Sequence, residues 1–177
     1  MPQTYVKKIL DARIYDLALE TPVDRAPILS QRLGNQVLLK REDLQPVFSF
    51  KLRGAYNKLR QLSVSQLAAG VIAASAGNHA QGLALAAQKM GVKATIVMPK
   101  TTPLIKVDAV RGWGAKVVLH GDNYDTAAAH ANVLIAQEGL TYIHPFDDPD
   151  IIAGQGTVGM EILRQLPGDL DAIFIAV

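Results

Sequence analysis

The chain has 177 residues, of which 49% are hydrophobic and 19% charged, so its composition is that of a globular protein with a packed core. Its formal net charge is +2, and its charges are interspersed, which argues against an arm that binds nucleic acid. It contains no cysteine, which excludes disulfides and thiolate metal sites.

Histidine spacing and hydropathy argue against a metal-binding, secreted or membrane-spanning protein. The four histidines form no i, i+4 pair, so the sequence predicts no metal site. The first 16 residues are interrupted by charges, unlike a signal peptide, and no 18-residue window is apolar enough to span a membrane. These patterns predict a soluble protein of the cytoplasm, with neither a membrane nor a nucleic acid as partner.

Five short apolar runs predict β-strands that are buried on both faces, as in a parallel sheet. In chain order they are QVLLK (36–40), VIAAS (71–75), ATIVM (94–98), AKVVL (115–119) and AIFIAV (172–177). Segments of helical composition alternate with them, so the sequence predicts an α/β protein with open parallel sheets and helices on both faces. The regular block 71–143 predicts a small open sheet, and the first and last runs predict a second one.

Local signals place the ends of several helices. Gly91 and Gly139 are suited to end two of them. Thr101 or Thr102 is the predicted N-cap of a helix that has Pro103 at its first position. An Asp-Pro start signal at Pro149 predicts a helix that continues to Leu166.

Lys51 lies between Phe50 and Leu52 where a helix is predicted to begin. An amine that apolar neighbours partly desolvate loses some of its preference for the charged form, as a Schiff-base lysine must. The alternative is a surface lysine whose stem covers Phe50 while its ammonium group stays in water. These residues alone leave both interpretations open.

The stretch VIAASAGNHAQG (71–82) runs from a predicted strand directly into a predicted helix. Small residues allow a ligand to approach the backbone, and N–H groups at a helix start bind anions. Ser75 and Asn78 add side chains suited to a carboxylate or a phenolic oxygen. The alternative is an ordinary turn with Asn78 as the N-cap.

Other polar or glycine-rich clusters are weaker candidates. GQGTVG (154–159) fits a dinucleotide-binding pattern, but FDDPDII before it is no strand, so a helix whose glycines allow close packing is favoured. His120 and Asp122 follow a predicted strand and are expected near the same cleft. Asp147 and Asp148 adjoin a proline, which is typical of a solvated loop.

Five stretches, taken together, resemble the threonine dehydratases, and in particular the biosynthetic type. They are KREDLQPVFSFKLRGAYNKL (40–59), SAGNHAQG (75–82), VMPKTTP (97–103), IKVDAVRGWGAKVVLHG (105–121) and IAGQGT (152–157). The resemblance runs from about residue 14 to the end. It implies a pyridoxal-phosphate enzyme with a truncated tryptophan-synthase-β-like fold.

The resemblance assigns roles residue by residue. Lys51 matches the lysine that binds the aldehyde of pyridoxal 5'-phosphate, Phe50 the aromatic residue on its ring, and Asn78 the asparagine that hydrogen-bonds its 3′-hydroxyl. In the loop that receives the substrate carboxylate lie Ser75, Gly77 and His79. The cofactor's phosphate loop and the serine at its pyridine nitrogen are expected beyond residue 177.

The implied reaction converts L-threonine into 2-oxobutanoate and ammonia, the first step of isoleucine biosynthesis, with L-serine as another expected substrate. The alternatives are a catalytically silent N-terminal fragment, a lyase for serine or diaminopropionate, and a racemase. Related racemases carry a second serine where this chain has Ala76, which weakens the last of these. The full enzyme is expected to be a homo-oligomer, with a tetramer as the favoured state.

The same resemblance implies a division into domains. Residues 1–68 are expected to begin a large cofactor-binding domain, 69–149 to form a small α/β domain, and 150–177 to return to the large domain.

Overall fold

The computed structural model describes residues 2–175. Its helices are α1 (Pro2–Leu10), α2 (Pro27–Leu33), α3 (Lys51–Gln61), α4 (Val64–Ala69), α5 (Asn78–Met90), α6 (Leu104–Gly112), α7 (Tyr124–Glu138) and α8 (Pro149–Gln165), with a 3-10 turn at Glu42–Leu44. Its strands are β1 (Val23–Arg25), β2 (Leu38–Lys40), β3 (Val71–Ala74), β4 (Ala94–Met98), β5 (Lys116–Leu119) and β6 (Thr141–Tyr142). No helix within these residues is both long and apolar enough to cross a bilayer.

The main sheet has four parallel strands in the order β5-β4-β3-β6. Side chains alternate between its two faces: Ala73 and Ile96 pack in the core on one side, and Ile72 and Val97 pack against Ala131 of α7 on the other. Helices therefore cover both faces, which keeps every residue of β3 and β4 buried. The predicted α/β class and the strands at 71–75, 94–98 and 115–119 are confirmed. The predicted burial of 115–119 on both faces is wrong, because β5 lies at the edge of the sheet with Lys116 and Leu119 exposed.

The strand predicted at 36–40 forms only over Leu38–Lys40, and its predicted parallel pairing is wrong. It pairs antiparallel with β1 in a separate two-stranded sheet, with Val23 opposite Lys40. An apolar run predicts that a strand is buried, but it does not predict whether the neighbouring strand runs parallel or antiparallel. That direction is set here by α2, which returns the chain beside β1.

The strand predicted at 172–177 is absent over 172–175, and residues 176–177 lie outside the described part of the chain. Ile173, Phe174 and Ile175 are 55%, 97% and 77% exposed. A strand needs a neighbouring backbone to bond with, and among residues 2–175 no strand pairs with this segment. Its composition favours a strand, but composition supplies no partner.

The predicted helix ends are mostly confirmed. Gly91 and Gly139 follow α5 and α7 with φ of +67° and +68°. Asp148 caps α8 by accepting hydrogen bonds from the Asp150 and Ile151 amides. The predicted start of α6 is wrong by one residue. Pro103, with an extended ψ of 137°, is the N-cap, so neither Thr101 nor Thr102 caps this helix.

Helix α3 lies between α5 and α8 at very short range. A Cβ atom added to Gly82 of α5 would lie 2.9 Å from the Leu52 nitrogen. One added to Gly154 of α8 would lie 2.6 Å from the Arg53 carbonyl oxygen. The GQGTVG stretch is thus a closely packed helix, as favoured from the sequence.

Candidate active site

Lys51 is the first residue of α3, and its side chain is half-buried. Its Nζ donates a hydrogen bond to the Pro145 carbonyl at 3.1 Å and lies 5.4 Å from the centroid of the Phe50 ring. Burial lowers the pKa of the Lys51 amine below that of an ordinary lysine. Lys51 is therefore not the solvated surface lysine that the sequence left open.

The chain around Lys51 fixes where its side chain starts. The buried Ser49 accepts a hydrogen bond from the Lys51 amide at 3.3 Å. The next residue, Leu52, is fully buried and packs into the core beside Gly82. The backbone at Lys51 is thus held on two sides, which leaves the amine as the adaptable part.

His79, the second residue of α5, is 3% exposed. Its Nε2 is 3.2 Å from the Ile143 carbonyl, to which it donates, and its Nδ1 is buried without a hydrogen-bond partner. Burial is the main cause that lowers the pKa of His79 to about 4; the hydrogen bond to the Ile143 carbonyl opposes it, and nearby Lys51 and His144 add to the lowering. The ring is therefore neutral at pH 7, with an unused acceptor nitrogen.

The segment 143–147 brings Lys51 and His79 together. Two carbonyls two residues apart, those of Ile143 and Pro145, accept from His79 and Lys51 respectively. This segment follows β6, whose neighbour β3 leads to α5. Sequence reasoning missed it because β6 is only two residues long. Its one sequence signal is position: loops after adjacent parallel strands meet at one edge of a sheet.

Ser75, Gly77 and Asn78 form the connection from β3 to α5 at the same edge. The Ser75 amide donates to the Val97 carbonyl at 3.1 Å, and the Ser75 Oγ accepts from the Gly77 amide at 3.3 Å. Asn78 is exposed and is the first residue of α5, with Gly77 as the N-cap, so Asn78 is not the cap. Its side chain is free to meet a ligand.

His120 and Asp122 are not gathered into this cluster. His120 follows β5 at the far edge of the sheet and stacks on His130 of α7, with ring centroids 3.9 Å apart. The carbonyl of Asp122 accepts from the Thr101 hydroxyl at 3.2 Å. Asp147 is exposed, as expected of a loop, whereas Asp148 forms a salt bridge with Lys58 at 2.8 Å.

The sequence of the chain matches a known protein family. The sequence profile of the pyridoxal-phosphate dependent enzymes matches residues 14–177. The chain belongs to this family. Members of this family depend on pyridoxal phosphate.

Two relatives within the family are similar in sequence to this chain over almost its whole length. The biosynthetic, chloroplastic threonine dehydratase of Arabidopsis thaliana is 62% identical over 173 residues, which is 98% of this chain and 29% of the relative. The biosynthetic L-threonine dehydratase of Burkholderia multivorans is 60% identical over 176 residues, 98% of this chain and 35% of the relative. The chain thus spans about a third of the length of these relatives.

Solved structures of the family share the fold. A processed threonine deaminase isoform 2 from Solanum lycopersicum matches with a TM-score of 0.88 at 57% identity, over 92% of this chain and 45% of that one. A maize serine racemase matches with the same TM-score of 0.88 at 33% identity, over 92% and 50%. The same fold is therefore found in enzymes that are named for different reactions, a deaminase and a racemase.

Proposed function

We propose that this chain carries the lysine and the substrate loop of a pyridoxal-phosphate dependent L-threonine ammonia-lyase, which converts L-threonine into 2-oxobutanoate and ammonia in isoleucine biosynthesis. The observation that carries the proposal is the half-buried Lys51 amine, whose pKa is lowered by burial. The threonine dehydratases of Arabidopsis thaliana and Burkholderia multivorans, 62% and 60% identical, support the choice of substrate.

The donor set fits the chemistry of pyridoxal phosphate. Lys51 offers an amine for its aldehyde, Phe50 an aromatic ring beside that amine, and the exposed Asn78 an amide for its phenolic oxygen. The unpartnered Nδ1 of His79 is a buried acceptor that a bound group can satisfy. Held there, the cofactor supplies an electron sink for negative charge on the substrate's α-carbon.

Lys51 acts as the base in this proposal. Its lowered pKa leaves a larger neutral fraction of the amine near pH 7 than an exposed lysine has. The neutral Nζ takes the proton from the substrate's α-carbon, and one of its N–H groups donates a hydrogen bond to the Pro145 carbonyl, 3.1 Å away. The carbonyl thereby orients the amine and supports the charged form after proton transfer.

The substrate carboxylate is assigned to the loop of Ser75, Gly77 and His79. Ser75 contributes a half-buried hydroxyl, and N–H groups at the start of the 13-residue helix α5 favour an anion. His79 is neutral because of its lowered pKa, so it adds no positive charge to this loop at pH 7. Anion binding here depends on hydrogen bonds and the helix dipole.

The test is covalent trapping. The chain is incubated with pyridoxal phosphate, reduced with borohydride and mapped by mass spectrometry. Lys51 is expected to carry the label, and a Lys51→Arg variant to lose it. Lys58 is a matched control on the same helix: burial opposes its charge, but Asp148 and Asp150 outweigh that and raise its pKa, so it reacts more slowly. Equal labelling of both lysines contradicts the assignment.

Turnover of the chain is then measured with L-threonine. Labelling at Lys51 without turnover favours the alternative that this part alone is catalytically silent. Labelling with turnover supports the whole proposal.

A serine-directed lyase or racemase is the second candidate, because the fold match to maize serine racemase equals that to the tomato threonine deaminase. Ala76 stands against racemisation, since it offers no hydroxyl as a base on the opposite face of the substrate. Comparing the ammonia released from L-threonine and L-serine, with chiral analysis of the remaining serine, separates the candidates.

Domain division, assembly and compartment are part of the same proposal. We assign 69–149 to a small domain and 1–68 with 150–177 to a larger one, since α8 packs on α1 and α3 rather than on the sheet. A homotetramer and a cytoplasmic location stay predictions. The Arabidopsis thaliana relative is chloroplastic, so compartment varies within the family.

A further inference from the structure

The carbonyl that holds the Lys51 amine belongs to a short turn, residues 144–147, with its own side-chain cap. We propose that His144 is a positioning residue for Lys51: its Nδ1 fixes the turn that keeps the Pro145 carbonyl against Lys51 Nζ. The inference rests on the proposed function only in that Lys51 is taken as the reacting amine.

The cap consists of two hydrogen bonds to one ring nitrogen. His144 Nδ1 accepts from the Phe146 amide at 3.2 Å and from the Asp147 amide at 2.7 Å. Asparagine and aspartate side chains make the same bonds to amides two and three residues ahead when they start a turn or a helix. A nitrogen that accepts twice bears no hydrogen, so the proton of the neutral ring is on Nε2.

Aromatic neighbours hold the ring of His144 in this orientation. The Phe146 ring meets it edge-on, with centroids 4.6 Å apart and planes at 84°, and the Tyr142 ring does so at 6.1 Å and 82°. Phe146 is 62% exposed, so a burial requirement does not explain its place. The ring contacts and the cap together fix the turn.

The segment is anchored at both ends, at Ile143 and Asp148. Between these residues its conformation depends on the hydrogen bonds to His144. The Ile143 amide donates to the Ile72 carbonyl of β3 at 2.9 Å. Asp148 caps α8 and forms a salt bridge with Lys58 of α3. Between these anchors lies Pro145, which has a fixed φ and no N–H of its own, so its carbonyl follows the turn.

Loss of the cap has a defined consequence for Lys51. His79 of α5 is the titratable group that lies near both Lys51 and His144, since each of them lowers its pKa. When the turn loosens, the Pro145 carbonyl leaves Nζ and water reaches the amine. The entering water replaces the carbonyl as an acceptor for the amine and also reverses the burial that lowers the Lys51 pKa, so that pKa then rises toward the ordinary value of a lysine.

The first experiment is an NMR titration of the chain labelled with 13Cε-lysine, without cofactor, with the Lys51 signal identified by Lys51→Arg. In His144→Ala the pKa of Lys51 is expected to rise, while that of Lys58 is unchanged. His144→Asn is the matched rescue, because its side-chain oxygen accepts from the same two amides, and is expected to keep the wild-type pKa. An unchanged or lower Lys51 pKa in His144→Ala, or no rescue by His144→Asn, overturns the proposal.

A second measurement needs no variant and covers the case in which His144→Ala does not fold. The imidazole 15N spectrum of the wild-type chain is expected to show His144 as the Nε2–H tautomer, with slow hydrogen exchange at the Phe146 and Asp147 amides. The opposite tautomer overturns the proposal. Both measurements are made without cofactor or threonine, so failure to turn over threonine leaves their result intact.

Discussion

The turn that leads to Lys51 contains a strained residue. Phe48 has a φ of +55° and is the one non-glycine residue with positive φ in the part of the chain that the structure describes. Its side chain is 77% exposed, so little burial offsets the steric cost of about 1–2 kcal/mol. Its amide donates to the Gln45 carbonyl at 2.7 Å, which closes the turn. The strain therefore lies in the connection that sets the start of α3.

Phe48→Gly and Phe48→Ala form a matched pair, since they remove the same ring and differ only in the Cβ atom. The glycine variant is expected to be more stable than the alanine variant by about 1 kcal/mol, because only glycine adopts positive φ without steric cost. Urea unfolding of both variants measures the difference. Equal stability, or a more stable alanine variant, would contradict the strain.

His79 gives the stability a pH dependence of known sign. Its pKa is lowered to about 4 mainly by burial, with nearby Lys51 and His144 adding to the lowering, whereas the unfolded chain has a value near 6.5. Between those values the unfolded chain binds more protons, so stability is complete above pH 6.5 and falls as the pH drops toward 4. The expected slope is up to about 1.4 kcal/mol per pH unit.

The slope is measured by urea unfolding at pH 7 and pH 5, in the wild type and in His79→Gln. Glutamine retains a donor for the Ile143 carbonyl but does not titrate, so a smaller loss of stability on acidification is expected. The same loss in both proteins would assign the effect to other groups.

At the scale of elements, the crossing of α3 and α8 decides where Lys51 lies. The backbones meet at Gly54 and Gly154, where a Cβ on Gly154 would lie 2.6 Å from the Gly54 Cα. The glycine pattern in 154–159 predicted close packing, but the partner helix lies about 100 residues away and was not evident from the pattern.

Two glycines of α8 are expected to respond in opposite directions to alanine. Gly154→Ala inserts a methyl group against the α3 backbone and is expected to cost about 1–3 kcal/mol. Gly159→Ala meets no atom within 4 Å and is expected to stabilise the helix by about 1 kcal/mol. Thermal or urea unfolding of both variants tests the pair, and a change of the same sign at both sites would contradict this packing.

At the scale of the whole molecule, a buried ionic network joins the first 53 residues to the last helix. Glu161 is fully buried and accepts from Arg53 at 2.5 and 3.0 Å, from Lys40 at 2.6 Å and from Tyr15 at 2.8 Å. Burial opposes ionisation of Glu161, but these donors outweigh it and lower its pKa. The network thus fixes α8 against β2 and α3.

Glu161→Ala is expected to destabilise the chain by about 3–5 kcal/mol, because it leaves Arg53 and Lys40 buried with one partner fewer. Glu20→Ala is the matched control: Glu20 pairs with Arg164 of α8 at 3.2 Å on the exposed surface, where a pair contributes at most about 1 kcal/mol. Urea unfolding of both variants compares them. A loss at Glu161 no larger than at Glu20 would show that the network adds little.

The sequence by itself determined the elements whose signals are local. The runs at 71–75, 94–98 and 115–119 became parallel strands because each is apolar and rich in β-branched residues, and the first two are buried on both faces. The glycines at 91 and 139 ended their helices because positive φ is a property of single residues. The alternation of these elements was enough to give the α/β class.

Only the tertiary structure decided the pairings and the setting of the site. The apolar segment 172–175 has no strand partner in the described chain, and β2 runs antiparallel to β1, because strand pairing depends on remote backbone groups. The Lys51 amine meets a carbonyl 94 residues away, at Pro145, and His79 meets one 64 residues away, at Ile143. Burial and hydrogen bonds of this kind arise from contacts between distant segments, so no pattern local to Lys51 encodes them.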